Sequence, residues 1–302
     1  MIETKGLTKF FGNIRAINNL SVNIPQGING IIGPNGSGKT TLFHILVGLL
    51  KPDSGYVSVL GLDPWSKRHE LLKNVNILLE TLRFPKNVSG LRYLMHVAKL
   101  RNVPERDVYK TLQEVKLTQD AEKEVSCYSS GMLKRLGIAK AILGNPELII
   151  LDEPTSGLDP IGRRDLLKLI IRLRKERKIN FLISSHVLTE LQKVCSWVCL
   201  MYNGNSVEQG FISSIVEKYS SKIYIIKVSN PEKLMDALKS IRNLKVRVRG
   251  NSIYLKGDDS VIQNEVVKLI SQANVSLISF YQVGTSLEDV FVKIIKTRGV
   301  KQ

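Results

Sequence analysis

The stretch Gly33-Pro34-Asn35-Gly36-Ser37-Gly38-Lys39-Thr40 satisfies the pattern G-x-x-x-x-G-K-[ST] at every position. Its surroundings matter as much as its letters. The apolar run Ile28–Ile32 in front of it reads as a strand, and TTLFHILVGLL behind it reads as a helix. That is the strand–loop–helix setting the chemistry of the pattern requires. Glycines let consecutive backbone N–H groups curl around a polyphosphate. Lys39 brings a positive charge to the β and γ phosphates, and the Thr40 hydroxyl offers a ligand to Mg²⁺. The sequence therefore predicts a nucleoside triphosphate site, with Asn35, Gly36, Ser37, Gly38, Lys39 and Thr40 around the phosphates.

Far downstream, LIILDEP gives a buried strand that ends in Asp152 and Glu153. A carboxylate at such a strand end can hold Mg²⁺ through water, the role expected of Asp152. The metal has no need of a second, adjacent acid. Glu153 is therefore read as the general base for an attacking water.

A third stretch, CYSSGMLKRLGIAKAIL from Cys127 to Leu143, reads as a polar turn opening onto an amphipathic helix with Met132, Leu136, Ala139 and Leu143 as its buried stripe. Ser129, Ser130 and Gly131 stand at the start of that helix, where unpaired N–H groups and the macrodipole favour an anion. The plain alternative is that Ser129 only caps the helix.

These motifs, in this order, resemble the ATP-binding subunits of ABC transporters over about residues 1–210. GPNGSGKTT (Gly33–Thr41) looks like the family's Walker A loop, LIILDEP its Walker B strand, and SGLDP (Ser156–Pro160) its D-loop, which includes Asp159. SSH (Ser184–His186) looks like the switch-histidine region, and YSSGM (Tyr128–Met132) stands where the family has LSGGQ. The resemblance implies that ATP and Mg²⁺ bind and that ATP is hydrolysed. It places Phe11 on the adenine, Thr41 with the Walker A residues, Glu80 in the Q-loop near Mg²⁺, and His186 at the γ-phosphate. It also implies that Ser129 and Gly131 face the γ-phosphate of a second ATP-binding subunit, two identical copies being the simplest arrangement. The chain departs from the pattern at Phe11 for Tyr, Glu80 for Gln, and Ser130 and Met132 for Gly and Gln. Glu80 exchanges a donor–acceptor amide for an acceptor-only anion.

Composition sets the remaining bounds. With 302 residues, 43% of them hydrophobic and 24% charged, the chain is long enough for two folded domains. The expected division is an α/β P-loop ATPase domain at 1–214, with a helical insertion at about 84–145, and a small ferredoxin-like α+β domain at 215–302. The second part rests on a βαββαβ order with a trailing helix, including a hairpin signal at Gly250-Asn251 and a capping box at Ser286/Asp289. An RNA-recognition module has the same order, but its aromatic signature is absent.

No run is long enough to span a bilayer, and Met1 leads directly into strand-like IETKGL, so neither a membrane span nor a signal peptide is expected. Cys127, Cys195 and Cys199 are expected as reduced thiols, with Cys195 and Cys199 placed one turn apart on a helix. The net charge of +17 includes a run from Arg163 to Lys178 with eight basic residues against Asp165 and Glu176, expected as the solvated face of a helix. The resemblance assigns the chain to the cytoplasmic face of a membrane, driving a separate membrane-spanning partner. Its closing TSLEDVFVKI looks like the tail of exporter-type subunits. The alternative, a soluble ATPase acting on nucleic acid or ribosomes, rests on the basic charge alone, and no nucleic acid partner is expected.

Overall fold

The computed structural model describes residues 1–219, 223–242, 244–257, 261–273, 275–283 and 286–297. Two strands open the chain, β1 (Ile2–Phe11) and β2 (Ile14–Ile24), before β3 (Ile28–Ile32) runs into the phosphate loop and α1 (Lys39–Leu46). β4 (Ser54–Val59), the single turn α2 (Arg68–Leu71) and β5 (Val75–Leu78) follow. The helical insertion then supplies α3 (Gly90–Leu100), α4 (Glu105–Glu114) and α5 (Ser130–Ile142). β6 (Leu148–Leu151), α6 (Pro160–Arg177), β7 (Asn180–Ser185), the short α7 (Leu188–Leu191), β8 (Trp197–Tyr202), β9 (Asn205–Phe211) and α8 (Ile212–Tyr219) complete this part.

The all-apolar runs pair as a six-stranded sheet in the order β5-β6-β7-β3-β8-β9, parallel except for β9. β3, β6 and β7 are buried along their whole length, as expected of parallel strands covered on both faces. Their carboxyl ends are aligned, so the phosphate loop after Ile32, Asp152 after Leu151, and Ser185 meet along one edge, where open α/β sheets bind ligands. A second sheet, β2-β1-β4, is antiparallel; only its first strand shows as strand-like in the sequence. α1 belongs to the core that joins both sheets. Leu42, Phe43, Ile45 and Leu46 are buried with Leu7 and Leu20 from one sheet and Ile31 and Ile150 from the other. Each such side chain contributes roughly 2 kcal/mol by leaving water, which fixes the helix that follows the phosphate loop.

Three local readings are corrected. α5 is not a one-faced amphipathic helix: Lys134, Leu136, Gly137, Ile138, Ala139, Ala141 and Ile142 are all buried, while Met132 is only partly so. Gly137 makes this possible, because a Cβ there would stand 2.5 Å from Leu78 Cδ1. Cys199 lies inside β8 and Cys195 just before it, not on one helix; WVCLMY is a buried apolar run that the sheet takes up as a strand. Burial raises both thiols far above their ordinary pKa, Cys199 to about 12. The basic run on α6 is also partly architectural. Arg172 donates to the Glu114 carbonyl and Arg177 pairs with the Glu114 carboxylate, while Arg163 pairs with Glu190.

Contacts divide the chain into Met1–Ile215 and Val216–Gln302, the division falling inside α8. The second unit contains β10 (Ile223–Val228), α9 (Glu232–Ser240), β11 (Lys245–Arg249), β12 (Ser252–Lys256), a π-turn at Ile262–Val266 leading into α10 (Val267–Gln272), β13 (Leu277–Val283) and α11 (Leu287–Thr297). Its antiparallel sheet runs β11-β12-β10-β13, the ferredoxin-like order for βαββαβ. Tyr224, Ile226, Val228, Ile253 and Leu255 alternate onto one face and pack against Leu234, Leu238, Val266 and Ile270 of the helices. Ser286 and Asp289 exchange the two hydrogen bonds of a capping box at the start of α11. Residues 298–302 of the expected C-terminal domain lie outside the described residues.

A chain ending at Tyr219, the close of α8, is expected to fold and to bind ATP, because the core around α1 uses residues of the first unit alone. Circular dichroism melts and nucleotide titration of that truncation check this. A product that stays insoluble contradicts it.

Candidate functional site

The phosphate loop is shaped by close approach. Gly38 has φ of 100°, and a Cβ there would stand 2.4 Å from the Ala16 carbonyl oxygen, so only glycine lets the loop lie against β2 before α1 begins. Lys39, buried at the first position of α1, donates from Nζ to the Gly33 carbonyl at 2.8 Å and the Pro34 carbonyl at 3.0 Å. Its ammonium stands 3.7 Å from Glu153 Oε1. The loop thus curls around its own lysine, and a phosphate would exchange those carbonyls for anionic oxygens, which make stronger charge-assisted bonds.

The acidic side is organised by Ser184, a residue the sequence places only within the SSH region, with no role of its own. Ser184 is fully buried in β7, donates to Asp152 Oδ1 at 2.5 Å, and accepts the Glu153 N–H at 2.8 Å. Thr40 Oγ1 donates to the other Asp152 oxygen at 2.8 Å. Glu153 has φ of 45°, the left-handed region, so its carboxylate does not simply continue the strand's alternation. Glu153 is buried; its Oε2 accepts a hydrogen bond from His186 Nδ1 at 2.9 Å, and Oε1 has no hydrogen-bond partner among the described residues.

Phe11, Asn35, Gly36, Ser37, Gly38, Lys39, Thr40, Thr41, Glu80 and Glu153 line one cavity of about 580 Å³. Its volume is in the range of small-molecule sites. Phe11 is 47% exposed, and the Lys9 ammonium lies over its ring, 5.8 Å from the centroid. Its strand end is tied down by Asp53, whose carboxylate accepts the Phe10 N–H and the Lys9 ammonium. Those two contacts, the N–H first, hold the Asp53 carboxyl below the usual range. Ile14, Arg15, Ala16 and Asn203 line the cavity as well and were not singled out from sequence. Arg15 lies over the Phe10 ring, 4.9 Å from its centroid, which a β1–β2 hairpin explains and a linear reading does not.

The other expected residues are elsewhere. Ser129 accepts the Met132 N–H as the N-cap of α5, and Asp159 accepts the Gly162 N–H as the N-cap of α6. Neither they nor Gly131 lines the cavity. Tyr128 is buried with its hydroxyl on the Asp120 carbonyl, so it anchors the turn and offers nothing to an anion.

The oxygens of Thr40 and Asp152 suit a hard cation such as Mg²⁺, which prefers one or two protein ligands plus phosphate oxygens. No group of three His, Cys, Asp or Glu side chains that could hold a metal alone occurs among the described residues. Ser37 Oγ, buried without a partner among those residues, fits a loop that closes on a further acceptor.

Residues 17–156 match the family described as ABC transporter. Over its whole length the chain is similar to the bacitracin transport ATP-binding protein BcrA of Bacillus licheniformis, at 34% identity covering 98% of this chain and 97% of that protein. The chain belongs to the ABC transporter ATP-binding proteins. It is an ATP-binding, ATP-hydrolysing transporter subunit. The lantibiotic transport ATP-binding protein SrtF of Streptococcus pyogenes is 35% identical over 68% of this chain and 89% of its own length. Among solved structures, an ATP-binding cassette of an ABC transporter is 26% identical with a TM-score of 0.64, covering 70% of this chain and 91% of that one. No helix among the described residues is long and apolar enough to cross a membrane.

Glu153→Gln is expected to preserve ATP binding and to lower turnover by ~10²–10⁴-fold, the usual worth of a positioned base. Lys39→Ala is expected to weaken nucleotide binding itself. Steady-state phosphate release and titration with a fluorescent ATP analogue separate the two. Near-normal hydrolysis by Glu153→Gln would remove Glu153 from that role.

Proposed function

We propose that this ATPase works as a pair of copies, each holding ATP on its own phosphate loop and completing the partner's site with Ser129 and Gly131. The adenine stacks on Phe11, the phosphates lie against residues 35–41, and Glu153 takes a proton from the attacking water while His186 orients its carboxylate. Thr40 and Asp152 would hold Mg²⁺, Asp152 through water and with Glu80 facing the ion; bound there, the metal supplies charge neutralisation at the β and γ phosphates. Asp159 caps the helix that leads from the D-loop. One observation carries the chemical reading: Ser184 and His186 fix a buried glutamate opposite Lys39, whose ammonium stands 3.7 Å from the one carboxylate oxygen that has no hydrogen bond among the described residues. The position of Ser129 and Gly131 outside the cavity supports their service to a second copy.

The same reading extends to transport. The chain drives export of a peptide antibiotic from the cytoplasmic face of the cell membrane, through a separate membrane-spanning subunit received by residues 81–90 and the helical insertion. The cargo class is supported by the full-length similarity to two bacitracin transport ATP-binding proteins, from Bacillus licheniformis and Enterococcus faecalis, each 34% identical.

Complementation in trans tests the shared site. Gly131→Asp places a carboxylate against the partner's γ-phosphate, and Lys39→Ala removes the phosphate-binding charge; each alone is expected to be inactive. Mixed heterodimers regain one complete site and with it measurable turnover. Heterodimers that form but stay as inactive as their parents contradict the arrangement. For cargo, disruption of the gene is expected to sensitise the host to a peptide antibiotic such as bacitracin. Restoration should follow from the intact gene and not from Lys39→Ala. Unchanged sensitivity across a panel of peptide antibiotics contradicts the cargo class.

A further inference from the structure

Two lysines are buried among the described residues, Lys39 and Lys134. The phosphate loop accounts for the first. Lys134 lies on α5, is 7% exposed, and has no carboxylate oxygen within 4.0 Å among the described residues. Burying an ammonium group is costly without compensation, and a methionine or leucine would fill the same space at no such cost. Burial lowers the Lys134 pKa, opposed by the charges of Glu80, Asp152 and Glu153. Its Nζ reaches two backbone oxygens, the Glu80 carbonyl at 3.3 Å and the Glu153 carbonyl at 3.4 Å.

The second of these contacts coincides with backbone strain. Glu153 has φ of 45°, a conformation that is strained for a non-glycine residue and persists only where the surroundings over-determine it. Ser184 fixes its N–H, His186 fixes its carboxylate, and Lys134 grips its carbonyl. The remaining contact of Lys134, with Glu80, ties the same ammonium to the segment that follows β5.

We infer that Lys134 is a positioning residue for ATP hydrolysis, acting through the main chain of Glu153 to hold that carboxylate in the phosphate cavity. The inference rests on Glu153 as the base. Lys134 does not line the cavity, so it acts on turnover and not on nucleotide affinity. It sits about 7.5 Å along the helix from Ser129, given the rise of 1.5 Å per residue. The helix start assigned to the partner's nucleotide is therefore coupled rigidly to the glutamate that serves this copy's own.

A double-mutant cycle on the full-length chain tests this. Lys134→Met keeps the packing volume and removes the charge and the donors. It is expected to lower kcat at least tenfold while leaving the ATP-analogue Kd within threefold, and Lys134→Arg is expected to restore most of the turnover. In a Glu153→Gln background, where the base is already gone, adding Lys134→Met should lower the residual rate by less than twofold, because residues that act as a unit are not additive. The inference is overturned if Lys134→Met turns over like the wild type, if kcat and affinity fall together, or if the two losses multiply in the double variant. Should Lys134→Met fail to fold, Lys134→Gln is carried through the same cycle under the same criteria. If Glu153→Gln itself retains turnover, the assignment of the base fails instead, and the two failures are distinct.

Discussion

Asp152 and Glu153, to which we assign different tasks, occupy adjacent positions in this chain, and an extended strand would send neighbouring side chains to opposite faces. The turn at Glu153 solves that problem. β6 delivers Asp152 to the Thr40 hydroxyl, and the left-handed φ of the next residue swings the Glu153 carboxylate toward Lys39 and His186. Ser184 joins the two by donating to one and accepting from the backbone of the other. The register of β6 and β7 puts Ser184 there, and the core around α1 holds the phosphate loop opposite. Sheet order, helix burial and loop shape can all be read as supports for this one turn.

Charge is distributed with the same economy of purpose. A net charge of +17 invites a reading as a surface for polyanions, but several of the cations are spent inside the fold. Lys39 and Lys134 are buried beside the acids of the site, while Arg172 and Arg177 bind Glu114 and so join α6 to the helical insertion. Buried or paired cations of this kind act on architecture and chemistry more than on long-range attraction.

Much of this was legible in the sequence. The phosphate loop, the strand ending in Asp152 and Glu153, and the βαββαβ order of the second unit all depend on local patterns that a single chain displays. What stayed hidden depends on long-range pairing. Arg15 and Asn203 reach the cavity only because β2 and the β8–β9 turn are folded beside the loop. α5 looked one-faced because Met132, Leu136, Ala139 and Leu143 fit a helical spacing, yet Ile138, Ala141 and Ile142 are buried as well and Gly137 permits the close approach of Leu78. Ser184 is an unremarkable letter in a strand until the neighbouring strand's acids are placed beside it. The helical placement of Cys195 and Cys199 failed for a related reason, since a four-residue spacing fits a helix turn but the run WVCLMY is taken by the sheet.

The most direct measurement is a structure of the Glu153→Gln variant with Mg²⁺ and ATP. The account predicts a positive φ at position 153, with that side chain facing a water in line with the γ-phosphate. Ser184 should still bridge Asp152 and the N–H of residue 153, and Ser129 of a second copy should lie within hydrogen-bond distance of the γ-phosphate. A residue 153 relaxed out of the left-handed region and turned away from the phosphate, in a dimer that otherwise holds both nucleotides, would contradict it.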